Sequence, residues 1–496
     1  LVKPVEHLEM AADPHSRDLL MIKVEPNLGT REQEPIRDIH ALFSAHEADR
    51  FELHSRHLNN MMVRVLKTIG FDVRFVSGKG AHLVDASGAR YLDLLSGFGV
   101  FQIGRNHPRL AEALKSVLDS DLPNLVQMDV SVLAGVLAER LLAYAPWLQK
   151  VFFANSGAEA FESAVKFARA ATGRPGIVHC EHSFHGLTYG ALSATGEEIF
   201  RGGFGPLVPG FVEIPFDDLV ALERALARRD VAAFCVEPIQ GKGVNMPSPD
   251  YLKAAHDLCR KYGTLFVADE IQTGLGRTGC FFAVEHWGVE PDMILIAKGL
   301  SGGHVPVGAV LLQKHVFAKV FDRMDKAVVH GSTFAKNDLA MAAGIATLEV
   351  IENEELVQNA ASLGRRLMTS LEAMKRRYEL VRDVRGKGLM IGLELGEPRS
   401  LKLRASWALL ETMNKGLFCQ LVTIPLFRDH KVLVQVAGHA NRTIKLLPAL
   451  VIDAKDCQWI EDAFDSVIAD SHNVAGPLWS LGKTLVEGAR SAARAG

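Results

Sequence analysis

The chain has 496 residues, 48% of them hydrophobic and 23% charged. That is too long for one ordinary compact domain and too apolar for disorder along its whole length. Its 55 basic and 58 acidic residues leave a formal net charge of −3, which excludes nucleic acid or an anionic membrane as a partner held by bulk charge. Six cysteines stand singly, with no Cys-x-x-Cys pair, so a reducing cytoplasm is expected rather than a disulfide framework or a structural zinc site.

No apolar run reaches the ~18–20 residues of a membrane span, and no basic segment followed by an apolar one opens the chain. It begins at Leu1 rather than methionine, which fits a processed form or a piece of a longer protein. Residues 1–35 are Pro-containing and weakly patterned and read as an arm. Residues 35–65 are helical and polar, with His40, His46, His54 and His57 along them; an exposed or interface helix explains these better than a metal site, because no close pair faces one way with a carboxylate between. Residues 72–95 alternate apolar and polar around Ser-Gly turns, a hairpin pattern.

From about residue 108 to 334 the chain repeats a short apolar run, a Gly- or polar-rich turn and a helical stretch. Strands are predicted at 151–153, 177–178, 232–236, 265–268, 293–297 and 307–312, and helices at 158–171 and 250–262. Alternation of this kind implies an α/β unit with a mainly parallel sheet covered on both faces. Beyond residue 338 a long helical stretch, 339–378, leads into a smaller α+β unit ending near 467. The expected organisation is therefore an N-terminal helical arm (1–70), the first part of the small domain (71–107), a large cofactor-binding domain (108–338), the rest of the small domain (339–470) and a tail (471–496).

The chemistry sits in the middle. Asp269 directly follows an apolar run and Lys298 ends the next, before Gly-Leu-Ser-Gly-Gly. Two neighbouring strands would then present an acid and an amine at the carboxyl edge of an open sheet, where ligands bind. A lone lysine there would be an ordinary solvated strand end. Together with the acid it suits pyridoxal 5′-phosphate (PLP): the amine to hold the cofactor aldehyde as a Schiff base, the carboxylate to keep the pyridine nitrogen protonated.

Asn155-Ser156-Gly157-Ala158 lies between a strand and a helix, so it is either a phosphate cradle or a plain helix cap. Phe184, in Ser183-Phe184-His185-Gly186, could stack on a flat cofactor. His179, Cys180, His182 and His185 resemble a metal cluster, but residues this close on a strand alternate sides, and no metal is expected. Gly274-Leu-Gly276-Arg-Thr-Gly279 matches a dinucleotide fingerprint; its context fails, since an aromatic stretch rather than a helix follows.

These residues resemble the class III aminotransferases (the ornithine/acetylornithine/putrescine group) of the fold type I PLP enzymes. The likeness runs from about Tyr91 to Ile452 through YLDLLSGFGVFQIGRNHP, FFANSGAEA, HSFHG, VEPIQG, FVADEIQTGLGRTG, ILIAKGLSGG, HGSTFAKND and VRGKGLMIGLEL, in the family's order; GFGVFQIGRNHP is most similar to the putrescine type. The resemblance implies that Lys298 is the Schiff-base lysine and proton shuttle, that Asp269 pairs with the pyridine nitrogen, and that Gln272 lies near the cofactor's 3-hydroxyl. It implies Ser156, Gly157 and Ala158 at the phosphate, Phe184 over the ring with His185 beside it, and Thr333 reaching the phosphate from the other subunit of a homodimer. Phe98 is expected among the substrate-binding residues.

The family commonly carries an arginine for a substrate carboxylate where this chain has Lys445, with Arg442 three residues earlier; lysine lacks the planar two-pronged donor. Glu237, which pairs with that arginine in ornithine-type members, is present and could pair with Lys445 instead, and Lys242 stands where an acidic or small residue is expected. The implied substrate is a terminal primary amine or its aldehyde without an α-carboxylate (a diamine such as putrescine, or a longer aliphatic chain), with a 2-oxo acid as co-substrate. The other readings are an ornithine/acetylornithine-type ω-aminotransferase, a PLP aminomutase or decarboxylase on the same fold, and a non-catalytic relative.

Overall fold

The computed structural model describes residues 38–473, except 127–128, 414–415 and 439–440, together with residue 479. The arm expected at 1–35 and most of the tail lie outside the described residues. The first described segment is three short helices, Ile39–His46, Arg50–His57 and Asn60–Ile69, rather than one. Asp38 and Asn59 cap the first and third by accepting from the N–H groups of His40 and Met62. Residues 72–95 form three antiparallel strands, Phe75–Lys79, His82–Asp85 and Arg90–Asp93, joined by the parallel strand Val432–Leu433.

The central sheet has seven strands in the order Lys150–Ala154, Gly308–Leu312, Met293–Ile296, Leu265–Asp269, Val231–Val236, Gly176–Cys180, Phe211–Ile214. Only Gly308–Leu312 runs antiparallel to its neighbours, so the other six point their carboxyl ends to one edge. Helices cover both faces, which is why these strands are apolar without alternation. Along Val231–Val236 every residue is buried; Ala233 and Cys235 join the core under helix Gly157–Thr172, while Phe234 and Val236 join that around helix Tyr251–Tyr262.

The long helix expected over 339–378 is two helices, Asp338–Asn353 and Leu356–Arg377, broken where Glu355 adopts φ 50°. The first packs on helices Pro108–Leu118 and Val132–Ala143, the second on strand Val381–Lys387 and helix Ala454–Ser471. A third sheet orders Val381–Lys387, Met390–Leu395, Thr443–Leu446 and Gln435–Ala437, all antiparallel. Arg277, in the turn that mimics the dinucleotide fingerprint, is fully buried and donates to the carbonyls of Leu389 and Pro448, joining that turn to the C-terminal unit. Among the described residues no helix is long and apolar enough to cross a membrane.

Candidate active site

A cavity of about 410 Å³ opens at the carboxyl edge of the central sheet. Asp269 ends its strand in register with Leu295 of the neighbouring parallel strand, and Lys298 follows that strand by two residues. Both line the cavity. Lys298 has φ 36°, a conformation non-glycine residues rarely adopt and that clusters at functional sites. No hydrogen-bond partner of its Nζ is present among the described residues. Burial holds its ammonium below the usual lysine range, while the charges of Asp269 and Glu237 push the other way.

Asp269 is 3% exposed. Its Oδ2 lies 2.7 Å from His185 Nδ1 and its Oδ1 accepts the Ile271 N–H at 3.1 Å. His185 is stacked on Phe161 with ring centroids 4.6 Å apart, so the imidazole stands behind the carboxylate and fixes its direction. At the other end of the cavity, helix Gly157–Thr172 begins. Ser156 caps it by accepting the Glu159 N–H, which leaves the N–H groups of Gly157 and Ala158 without helical acceptors and aimed out of the helix start. A Cβ on Gly157 would meet Ile271 at 2.9 Å, so this turn is close-packed against the acid's own loop.

Phe184 lines the wall. Its N–H donates to Glu237 Oε1 at 2.9 Å, and Gly241 N–H donates to Oε2 at 2.7 Å. Burial raises the carboxyl of Glu237 above its usual range. The ion pair considered between Glu237 and Lys445 is not made. Lys445 Nζ donates instead to the Gly241 carbonyl and, at 2.6 Å, to Gln272 Oε1. Backbone donors already hold both oxygens of the carboxylate, and Gly241, where a Cβ would come within 2.6 Å of Gln272 Oε1, stands between the two residues.

Arg442 also departs from expectation. Its Nη2 pairs with Glu411 Oε2 at 2.7 Å and its guanidinium lies over Trp407, so it faces helix Leu401–Met413 and lines no part of the cavity. Phe98 is 57% exposed and Thr333 is exposed, and neither lines this cavity. The structure thus brings together Ser156, Gly157, Ala158, Phe184, His185, Glu237, Asp269, Gln272 and Lys298. It adds Val100, Ile271 and Ser301. These carry no sequence signal apart from proximity to a motif, because an apolar or hydroxyl side chain reads the same in a core and at a cavity wall.

Lys445 is 2% exposed. Burial, and then the nearby Lys298 charge, push its ammonium down to about 7. Between that value and the ordinary lysine value of 10.5, the unfolded chain binds more protons at this site than the folded one, so its contribution to stability grows as pH rises. The melting temperature of the parent should therefore gain on that of Lys445→Met between about pH 7 and 9, as differential scanning fluorimetry across that window would record. A constant gap would contradict it.

The family model for class-III aminotransferases matches residues 68–468. The chain belongs to the class III aminotransferases. Over 452 residues it is 35% identical to the aminotransferase PigE of a Serratia species, covering 84% of this chain and 53% of PigE, so it spans about half the length of that relative. It is 41% identical over 390 residues to the acetylornithine aminotransferase of Methanocaldococcus jannaschii, covering 77% of this chain and 94% of that protein. Its fold superimposes on the ornithine aminotransferase of Toxoplasma gondii, whose active site holds PLP at partial occupancy, with a TM-score of 0.72, 31% identity, and 81% and 91% of the two chains covered. A fold type I, PLP-dependent aminotransferase is what the chain's motifs imply and what these relatives show.

Proposed function

We propose that this class III aminotransferase transfers the amino group of a primary amine lacking an α-carboxylate, a diamine such as putrescine or a longer aliphatic amine, to a 2-oxo acid, and runs the reverse on the corresponding aldehyde. One observation carries the substrate class: among the described residues no guanidinium lines the cavity. The two cations nearest in sequence to that role are engaged elsewhere, Arg442 by Glu411 and Lys445 by two neutral oxygens.

The residues present fit PLP. The free N–H groups at the start of helix Gly157–Thr172, with the Ser156 hydroxyl, would hold its phosphate, Asp269 its ring nitrogen, Phe184 its ring face and Lys298 its aldehyde. When bound, the cofactor supplies an aldehyde for the amine and an electron-withdrawing ring. Lys298 Nζ is the base that takes the proton from the carbon bearing the amine and returns it on the cofactor side. Desolvation lowers the pKa of its ammonium, which favours the neutral form that task needs. Asp269 stabilises positive charge at the ring, and His185 keeps the carboxylate aimed at it. Glu237, with no ion-pair partner among the described residues, offers a carboxylate to the distal ammonium of a diamine.

The names of the acetylornithine and ornithine aminotransferases favour a second reading, an ω-amino acid whose carboxylate would fall to Lys445. Putrescine, cadaverine, a long monoamine and ornithine, each tested with pyruvate and 2-oxoglutarate, separate the two. Putrescine or the long amine should give the highest kcat/KM; ornithine as the best donor would remove the argument. Consumption of the 2-oxo acid in step with the amine distinguishes both readings from a mutase or decarboxylase.

We also propose that the enzyme works as a homodimer in which Thr333 completes the other subunit's phosphate site. It is exposed on its own chain, in a segment that also exposes Met324, Val328 and Phe334, at 98%, 90% and 63%, and exposed apolar side chains gathered into a patch are what an interface covers. Mixing inactive Lys298→Ala with inactive Thr333→Ala subunits should restore activity, since each mixed dimer holds one site built from two intact contributions. A mixture as inactive as its components would reject shared sites.

A further inference from the structure

The hydrogen bonds around the cavity form one continuous chain. It runs from the Phe184 N–H to Glu237, from Glu237 to the Gly241 N–H, from the Gly241 carbonyl to Lys445 Nζ, from Lys445 to Gln272 Oε1, and from Gln272 Nε2 to the Phe98 carbonyl at 3.0 Å. One end is the aromatic wall. The other is the 96–99 turn, where Ser96, Gly97, Phe98 and Gly99 all have positive φ, 62° at Phe98. Two of these residues are not glycine, so the turn stores strain and needs an outside hold.

We propose that Lys445 is a positioning residue that acts through Gln272, setting the amide so that it pins the Phe98 turn at the cavity rim, and that it is not a ligand for the substrate. Lys445 Nζ donates to Gln272 Oε1, and in its ammonium form it can only donate, so that form holds the oxygen side of the Gln272 amide towards it. The NH₂ group is then forced the opposite way, onto the Phe98 carbonyl. A neutral apolar side chain at position 445 would place no such demand, and the amide could flip. Lys445 Nζ also takes the Gly241 carbonyl, which ties the rim to the loop that carries Glu237 and, through Glu237, to Phe184 on the neighbouring loop. Gly241 is where the parts converge: a Cβ there would lie 2.6 Å from Gln272 Oε1 and 3.0 Å from Glu237 Oε2. This inference rests on the proposed amine transfer at the same cavity and adds the residue that sets its rim.

The test is a double-mutant cycle in the holoenzyme with Lys445→Met, Gln272→Leu and the pair, using putrescine, 1-aminohexane and ornithine as donors. If Lys445 works through Gln272, each single change raises KM by about tenfold, by a similar factor for every donor accepted. The pair should then be no worse than the stronger single variant, because the second change has nothing left to remove. The visible absorbance of the bound cofactor should shift in the same direction in both singles. A KM effect confined to ornithine would make Lys445 a carboxylate ligand and overturn the proposal. So would a double variant whose KM is the product of the singles, or a Lys445→Met holoenzyme with unchanged absorbance and KM. Should Lys445→Met not fold, Lys445→Gln, which keeps one donor but can also present an oxygen to Gln272, must still raise KM uniformly; a parental KM there overturns the proposal. The substrate reading stands or falls separately, on which donor the parent enzyme prefers.

Discussion

Lys298→Ala should lower kcat by about 10⁴-fold or more while the fold persists. Among the described residues Lys298 is the only amine lining the cavity, and none of the other side chains there is placed to take over. His185 is turned onto Asp269, and both oxygens of Glu237 are held by backbone donors. The variant loses the nucleophile that receives the cofactor and the base that moves the substrate's proton, so the two effects multiply. Small exogenous amines, which can diffuse into a cavity shortened by one side chain, should restore a fraction of the rate. Steady-state turnover of the purified variant, with and without added methylamine, makes the measurement. Turnover equal to the parent's would remove Lys298 from the mechanism and with it the reading of the whole site.

Asp269→Asn should lower kcat by about 10²–10³-fold with a much smaller change in KM for the amine. Asparagine keeps the shape: its Oδ1 can still accept from Ile271 N–H, and its NH₂ can donate to His185 Nδ1 once the imidazole carries its proton on Nε2, so the local geometry survives and the negative charge is removed. Positive charge on the ring is needed most as the substrate's proton leaves, so the loss belongs in kcat. Asp269→Ala is the poorer probe. It would strand the His185 Nδ1 proton in a site with 0% exposure, at a stability cost of about 1–3 kcal/mol, and mix folding with catalysis. Single-turnover rates for the asparagine variant at several amine concentrations separate kcat from KM; a parental kcat would mean that the carboxylate's charge plays no part.

Lys298 was legible because the strand pattern around it was unambiguous: 293–297 is a short apolar run, the run before it ends at Asp269, and parallel strands with short helical crossovers must present their carboxyl ends together. Lys445 also lies on a strand, Thr443–Leu446, but an antiparallel one in another unit. Sequence could say which residue stood there and not what its amine would touch. The same holds for Arg442, which sequence distance placed beside the substrate and packing placed on Glu411. Helix Leu401–Met413, which supplies Glu411, comes from a stretch with no motif to announce it.

The amino-acid sequence by itself determined the local periods and the chemistry of single positions: eight of the central elements, the helix start at Asn155-Ser156-Gly157-Ala158, and the acid and amine that define the cofactor, because each depends on neighbours within a few residues. Tertiary structure alone decided which charges meet. Where Gln272, Gly241 and Lys445 close a hydrogen-bonded chain, where His185 backs Asp269, and where Arg442 turns away, the partners are 31 to 204 residues apart along the chain, and burial rather than sequence distance selects which donors find an acceptor.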